Sequence, residues 1–159
     1  MPMNIGKENF LRTKLIALLQ QSDPHAVARW GKMNMQQMVE HMTDVFMCAN
    51  GKLKLAIVTP PDKLPAIRDF LMSDKPFKQN TKSPVLPAEP IPLKKHTMQA
   101  AIGKLQEEII HFFAIFDKHP ELKTINPVFG ELNFNENVQL LYKHSLHHLQ
   151  QFGIEPMQY

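Results

Sequence analysis

Eight of the thirteen prolines fall between Thr59 and Pro92. A proline removes a backbone N–H and clashes with the preceding turn, so this stretch cannot form a long helix. Pro65 to Met72 (PAIRDFLM) can make a short helix, whereas Pro76, Pro84, Pro87, Pro90 and Pro92 break up Ser73 to Pro92 into an ordered, extended excursion. A connection of this length serves as a lid or pocket wall, or as a plain crossover between helices. The regular architecture must therefore come from the segments on either side.

Those segments carry helical periodicity. From Lys7 to Gln21, Leu11, Leu15 and Leu18 recur at steps of four and three, with Phe10, Ile16 and Leu19 widening the stripe, and Ser22-Asp23-Pro24 ends the run. Asp23 can cap a short following turn with Pro24 at its first position. A second helix starts near Asn34, where Asn34 and Gln37 fit a capping box. It runs through Met35, Met38, Met42, Val45 and Ala49 to a stop at Asn50-Gly51, with Trp30 anchoring its start. A third spans about Lys94 to Lys118 on Met98, Ile102, Leu105, Ile109, Phe112 and Phe116. A fourth starts at Asn133, where Asn133 and Glu136 again fit a capping box. It follows Val138, Leu141, Tyr142, Leu149 and Phe152 to a stop at Gly153. No segment shows sustained strand alternation. One all-α domain over residues 1–159, a four-helix bundle with a Pro-rich crossover between helices 2 and 3, is the expectation.

Bulk properties narrow the function classes. The net charge is +3, and the eighteen Lys and Arg are scattered without a basic run, so neither nucleic acid nor a membrane surface is expected as a partner. No stretch approaches 18 apolar residues, so no transmembrane helix is expected. Cys48 is the single cysteine, which excludes an intramolecular disulfide, and Met1 to Phe10 lacks the pattern of a secretory signal. A cytoplasmic location is the default expectation.

The chemistry concentrates in HSLHHLQQFG, residues 144–153. A helix turns about 100° per residue, so His144 and His148 lie about 40° apart on one flank of the fourth helix's apolar stripe, while His147 points to the other side. The same geometry puts His41 on the flank of the second helix, where it can face a neighbour. His111 points away from its stripe, and His25, His96 and His119 lie near helix ends or in connections. Neutral imidazoles suit zinc or nickel first and ferrous iron next, and three protein ligands leave positions open. The alternative is a pair of partly buried histidines satisfied by hydrogen bonds. The spacing is not HExxH, and the single helical Glu-x-x-His, at Glu108 and His111, does not make a di-iron site. Cys48 lies on the same helical side as His41, where packing is the commoner role and a thiolate ligand or nucleophile the rarer one. Asp44 can orient an imidazole or stay exposed. Glu40 follows a different direction from His41, which speaks against its use as a general base.

Residues 126–153, NPVFGELNFNENVQLLYKHSLHHLQQFG, resemble the C-terminal signature of the DinB-like superfamily. That signature is a Pro-x-x-Gly-x-Leu entry and a helix ending His-x-x-His-His-x-x-Gln. Residues 30–46, WGKMNMQQMVEHMTDVF, are similar to the helix carrying that superfamily's first histidine. The match is nearest to a subgroup without known activity, and relatives often carry His where this chain has Asn126. The resemblance implies an up-down-down-up four-helix bundle holding a divalent metal on His41, His144 and His148. It implies a small-molecule substrate, with a low-molecular-weight thiol among the candidates, and it admits a homodimer. The function expected from it is a metal-dependent enzyme of thiol-transferase or hydrolase type, the alternative being a non-catalytic metal- or ligand-binding helical module.

Overall fold

A computed structural model of the protein describes residues 5–79 and 92–156. The first helical run consists of α1 (Ile5–Asn9), a π-helical segment (Phe10–Lys14) and α2 (Leu15–Gln21). The backbone stays right-handed helical at Asn9 and at Leu15, so the run is continuous, but the wider π turn changes its phase. Phe10, Leu11, Leu15 and Leu19 are buried, whereas Leu18 is only half-buried. As anticipated, Asp23 shapes the next turn, its Oδ1 accepting from the His25 N–H at 2.8 Å.

The helix α3 spans Met35–Ala49, with the expected reciprocal capping box between Asn34 and Gln37. A short 3-10 turn, Pro61–Lys63, leads into α4 (Leu64–Met72), with Pro65 in its first turn where a missing N–H costs nothing. The stretch from 80 to 91, which includes Pro84, Pro87 and Pro90, lies outside the described residues. The helix α5 covers Met98–Lys118, four residues shorter at its start than the periodicity suggests. Thr97 caps it, its Oγ1 accepting from Ala100 N–H at 3.1 Å, while the N–H groups of Lys94 and Lys95 go to the Glu40 carboxylate instead of a helix. The helix α6 covers Phe134–Gln151, and Asn133 and Glu136 close their capping box. It ends as Gly153 predicts, with Gly153 N–H bonded to Gln150 O and Ile154 N–H to Leu149 O around a left-handed glycine, φ +71°.

The expectation of a purely helical chain is corrected by a small antiparallel hairpin, β1 (Thr124–Asn126) with β2 (Gly130–Leu132), in which Asn126 faces Gly130. Three-residue strands are too short to show alternation. The turn chemistry is nonetheless written in NPVFG. Asn126 Oδ1 accepts from Val128 N–H at 2.9 Å and Phe129 N–H at 3.0 Å, Pro127 presets the turn, and Gly130 takes φ +86°. The Pro-x-x-Gly entry is thus a hairpin loop, and Asn126 has a structural role in it. The hairpin is clamped between helices: Thr124 Oγ1 donates to Ala49 O at 2.8 Å and accepts from Asn137 Nδ2 at 3.0 Å.

One apolar core draws Leu11 and Leu15 from the first run, Met38, Met42 and Phe46 from α3, Leu105, Ile109 and Phe112 from α5, and Val138, Leu141 and Leu149 from α6. A smaller cluster on the other side of α6 joins Leu71, Phe129, Leu132 and Leu140. Covered on both sides, α6 buries polar residues that a one-sided helix would expose. Lys143 donates to the carbonyls of Phe70, Leu71 and Ser73, and Gln139 Nε2 to those of Leu71 and Ser73, which satisfies the C-terminal carbonyls of α4. The chain is therefore mostly helical with one small hairpin. Among the described residues no helix is long and apolar enough to cross a membrane.

Candidate metal centre

The helices α3 and α6 bring His41, His144 and His148 together, and their ligand atoms all lie within 4.8 Å of one another. His144 Nε2 is 3.0 Å from His41 Nε2 and 3.0 Å from His148 Nε2. The rings meet edge to face, with centroids 4.4 to 5.0 Å apart. The reason is positional. His144 and His148 are one turn apart on the α6 flank next to α3, and His41 precedes the buried Met42 on the α3 flank facing back.

The three rings are held neutral. Burial, opposed by the Asp44 carboxylate and reinforced by His147, lowers the pKa of His41 to about 4. Burial, then the neighbouring imidazoles, pushes His144 and His148 well below the usual histidine range. A neutral imidazole has one lone pair, on Nδ1 or Nε2 according to its tautomer, and here the three Nε2 atoms converge. A proton on His144 Nε2 can serve only one of its two 3.0 Å contacts. Three imidazole nitrogens this close together are a donor set of the kind that divalent cations take.

His147 does not join the group. It is half-buried rather than turned fully outward, because its ring packs on Trp30, centroids 5.4 Å apart, and on Phe77, 6.3 Å apart. Trp30 thus anchors on α6 as well as leading into α3. Phe77 also lies 6.4 Å from the His144 ring and stacks on Phe129 at 5.9 Å, forming an aromatic wall beside the triad. No periodic signal in the sequence marks Phe77, since it sits in an irregular segment after α4.

The other candidates separate cleanly. Asp44 pairs with Lys94 Nζ at 3.2 Å, an alternative to orienting an imidazole. Burial raises the Glu40 pKa, but the N–H groups of Lys94 and Lys95 and the Gln36 amide outweigh it and hold the carboxyl below its usual range. Cys48 is buried, and burial followed by the Asp44 charge pushes its thiol up to about 11, which suits packing and not a thiolate. Glu108 is buried in an ion-pair network with Lys104 at 2.8 Å and Lys52 at 3.1 Å, and Asn50 Nδ2 donates to it at 2.8 Å. His25, His96 and His119 are exposed, and His111 is half-buried rather than solvent-facing.

Sequence reasoning missed the role of Gln151. Its Oε1 is 2.7 Å from His148 Nδ1, and its Nε2 donates to Trp30 O at 2.9 Å. The i, i+3 spacing of His148 and Gln151 was the available signal, but the partner Trp30 lies 121 positions away in the chain.

Neither models of known protein families, nor curated proteins, nor solved structures gave a match to this chain.

Proposed function

We propose that this protein is a four-helix bundle of the DinB-like kind, with up-down-down-up topology, that holds a divalent metal, zinc or nickel in the first place and iron in the next, on His41, His144 and His148. The observation that carries this reading is the convergence of three Nε2 atoms from two helices, with His144 Nε2 3.0 Å from both His41 Nε2 and His148 Nε2. The packing of four helical elements in this reading is supported by the larger apolar core, shared by the first helical run, α3, α5 and α6.

A bound divalent ion supplies Lewis acidity to a thiol or water of a small-molecule substrate, which makes a thiol transferase or hydrolase the activity proposed. The chain's own residues do the rest. The three imidazoles would hold the ion without adding negative charge, so an anionic ligand would be favoured beside it. Phe77, backed by Phe129, puts an apolar wall beside His144 that favours a substrate with an apolar part. The ties of Glu40 and Asp44 to the Lys94–Lys95 segment leave the carboxylates of α3 on a structural task. That observation favours the second reading, a binding module without turnover.

Metal analysis of untagged protein tests the site: about one divalent ion per chain is expected, lost in His144→Ala. Metal content well below one, equal in the variant, overturns it. Metal-loaded protein is then assayed against thiols paired with electrophiles and against hydrolysable esters and amides. Turnover abolished by His144→Ala supports the enzyme, and full metal loading without turnover supports the module.

A further inference from the structure

Gln151 is 3% exposed and is held from three directions. Its Nε2 donates to Trp30 O at 2.9 Å, its backbone carbonyl accepts from the Arg29 N–H at 2.7 Å, and its Oε1 faces His148 Nδ1 at 2.7 Å. A backbone carbonyl only accepts, so the amide must turn its NH2 to Trp30. The opposite orientation would press two oxygens together. The oxygen then faces His148, and an amide oxygen also only accepts. His148 Nδ1 must therefore carry the proton, which puts the ring's lone pair on Nε2, the atom 3.0 Å from His144 Nε2.

The loop is shaped to allow this. Gly31 has φ +77°, and a Cβ there would sit 3.0 Å from Gln151 Nε2. A side chain at 31 would both strain the backbone and push the amide away. Gly153 makes a second close approach: a Cβ there would lie 2.9 Å from the Arg29 guanidinium. The segment 29–31 is thus wrapped on the end of α6, and Gln151 is its pin.

We infer that Gln151 is a positioning residue that fixes His148 in its Nδ1–H tautomer, aims the Nε2 lone pair at His41 and His144, and couples the metal site to the docking of the 29–31 segment. The purpose of the aimed lone pair rests on the metal reading above, whereas the tautomer itself does not.

The test uses the full chain and four proteins: wild type, Gln151→Ala, Gln151→Glu and Gly31→Ala. Long-range 1H–15N NMR of metal-free protein reads the His148 tautomer, and competition with a chromophoric chelator reads zinc affinity. Wild type is expected to show Nδ1–H only. Gln151→Ala mixes the tautomers and weakens zinc binding about 10- to 100-fold. Gln151→Glu still accepts from Nδ1–H but cannot donate to Trp30, so it keeps the tautomer and stays within about threefold of wild-type affinity while melting earlier. Gly31→Ala leaves both partners chemically intact and shifts the tautomer and zinc affinity in the direction of Gln151→Ala. Wild type in the Nε2–H form, or unchanged His148 signals in both alanine variants, overturns the inference. So does Gln151→Glu losing zinc as far as Gln151→Ala, since Gln151 would then serve only to hold the loop. If wild type shows Nδ1–H and Gln151→Ala mixes the tautomers but wild type takes up no zinc, the metal reading fails and the tautomer lock stands.

Discussion

His41 Nε2 and His144 Nε2 lie 3.0 Å apart although the residues are 103 positions apart in the chain. No local rule joins them. Each is placed on its helix by an apolar stripe, and the packing of α3 beside α6 turns the two flanks toward one shared point.

The first expectation separates ligands from neighbours. His41→Ala, His144→Ala and His148→Ala each weaken metal binding by about a hundredfold or more, while His147→Ala changes it less than about threefold, the difference between losing a ligand and losing a packing contact. Saturating metal at about a thousand times its Kd adds about 4 kcal/mol to wild-type stability, or roughly 8–16 °C in Tm for a chain of this size. Calorimetric scans with and without zinc measure it, and His144→Ala removes the shift. Equal losses of affinity in His147→Ala and His148→Ala would show that the helical phase assigned to α6 is wrong.

Acid acts on the metal-free protein through the same rings. His41 titrates at about 4 in the fold against 6.5 for an ordinary histidine. Between those values the unfolded chain binds the extra proton and the folded chain does not, so stability falls as pH drops from 6.5 to 4, by up to about 3 kcal/mol from this group. His144 and His148 act in the same direction. Urea unfolding at pH 7, 5.5 and 4.5 reads the slope, which is shallower in His41→Gln. A slope unchanged by that substitution would mean His41 is solvated in the folded state.

Glu108 works in a lower pH window, through a network that shares no residue with the triad. Its burial opposes ionisation, but Lys104, Asn50 and Lys52 outweigh it and bring its pKa to about 2. The stability it confers is complete above an ordinary carboxyl pKa of about 4.5 and disappears as pH falls toward 2. Glu108→Ala leaves buried Asn50 without its carboxylate and costs about 2 to 4 kcal/mol in chemical denaturation. Metal content stays at the wild-type level, since the network shares no residue with the triad.

Cys48 is the remaining candidate ligand. With its thiol at about 11 and its side chain buried, it reacts with iodoacetamide at pH 8 only after unfolding. Cys48→Ala retains metal and loses about 1 kcal/mol, the cost of a small cavity. Rapid alkylation of native protein, or loss of metal in the variant, would restore the thiolate reading.

The sequence by itself determined the helices and the flanks they present. The four-three spacings over Met35–Ala49, Met98–Lys118 and Phe134–Gln151, the capping boxes at Asn34 and Asn133 and the stop at Gly153 are local rules of backbone and side-chain geometry, and the structure follows them. Helical direction also set His144 and His148 on one flank and His147 on another, because 100° per residue is a property of the helix and not of its neighbours. The tertiary structure decided what no period encodes. Pairing made a hairpin of two three-residue strands, and the Glu40 carboxylate delayed the start of α5 to Met98. A second apolar layer over α6 buried Lys143 and Gln139, and irregular segments delivered Phe77 to the side of His144 and Trp30 to Gln151. Each of these depends on contacts between residues far apart in the chain, whose energy is gained only once the elements meet.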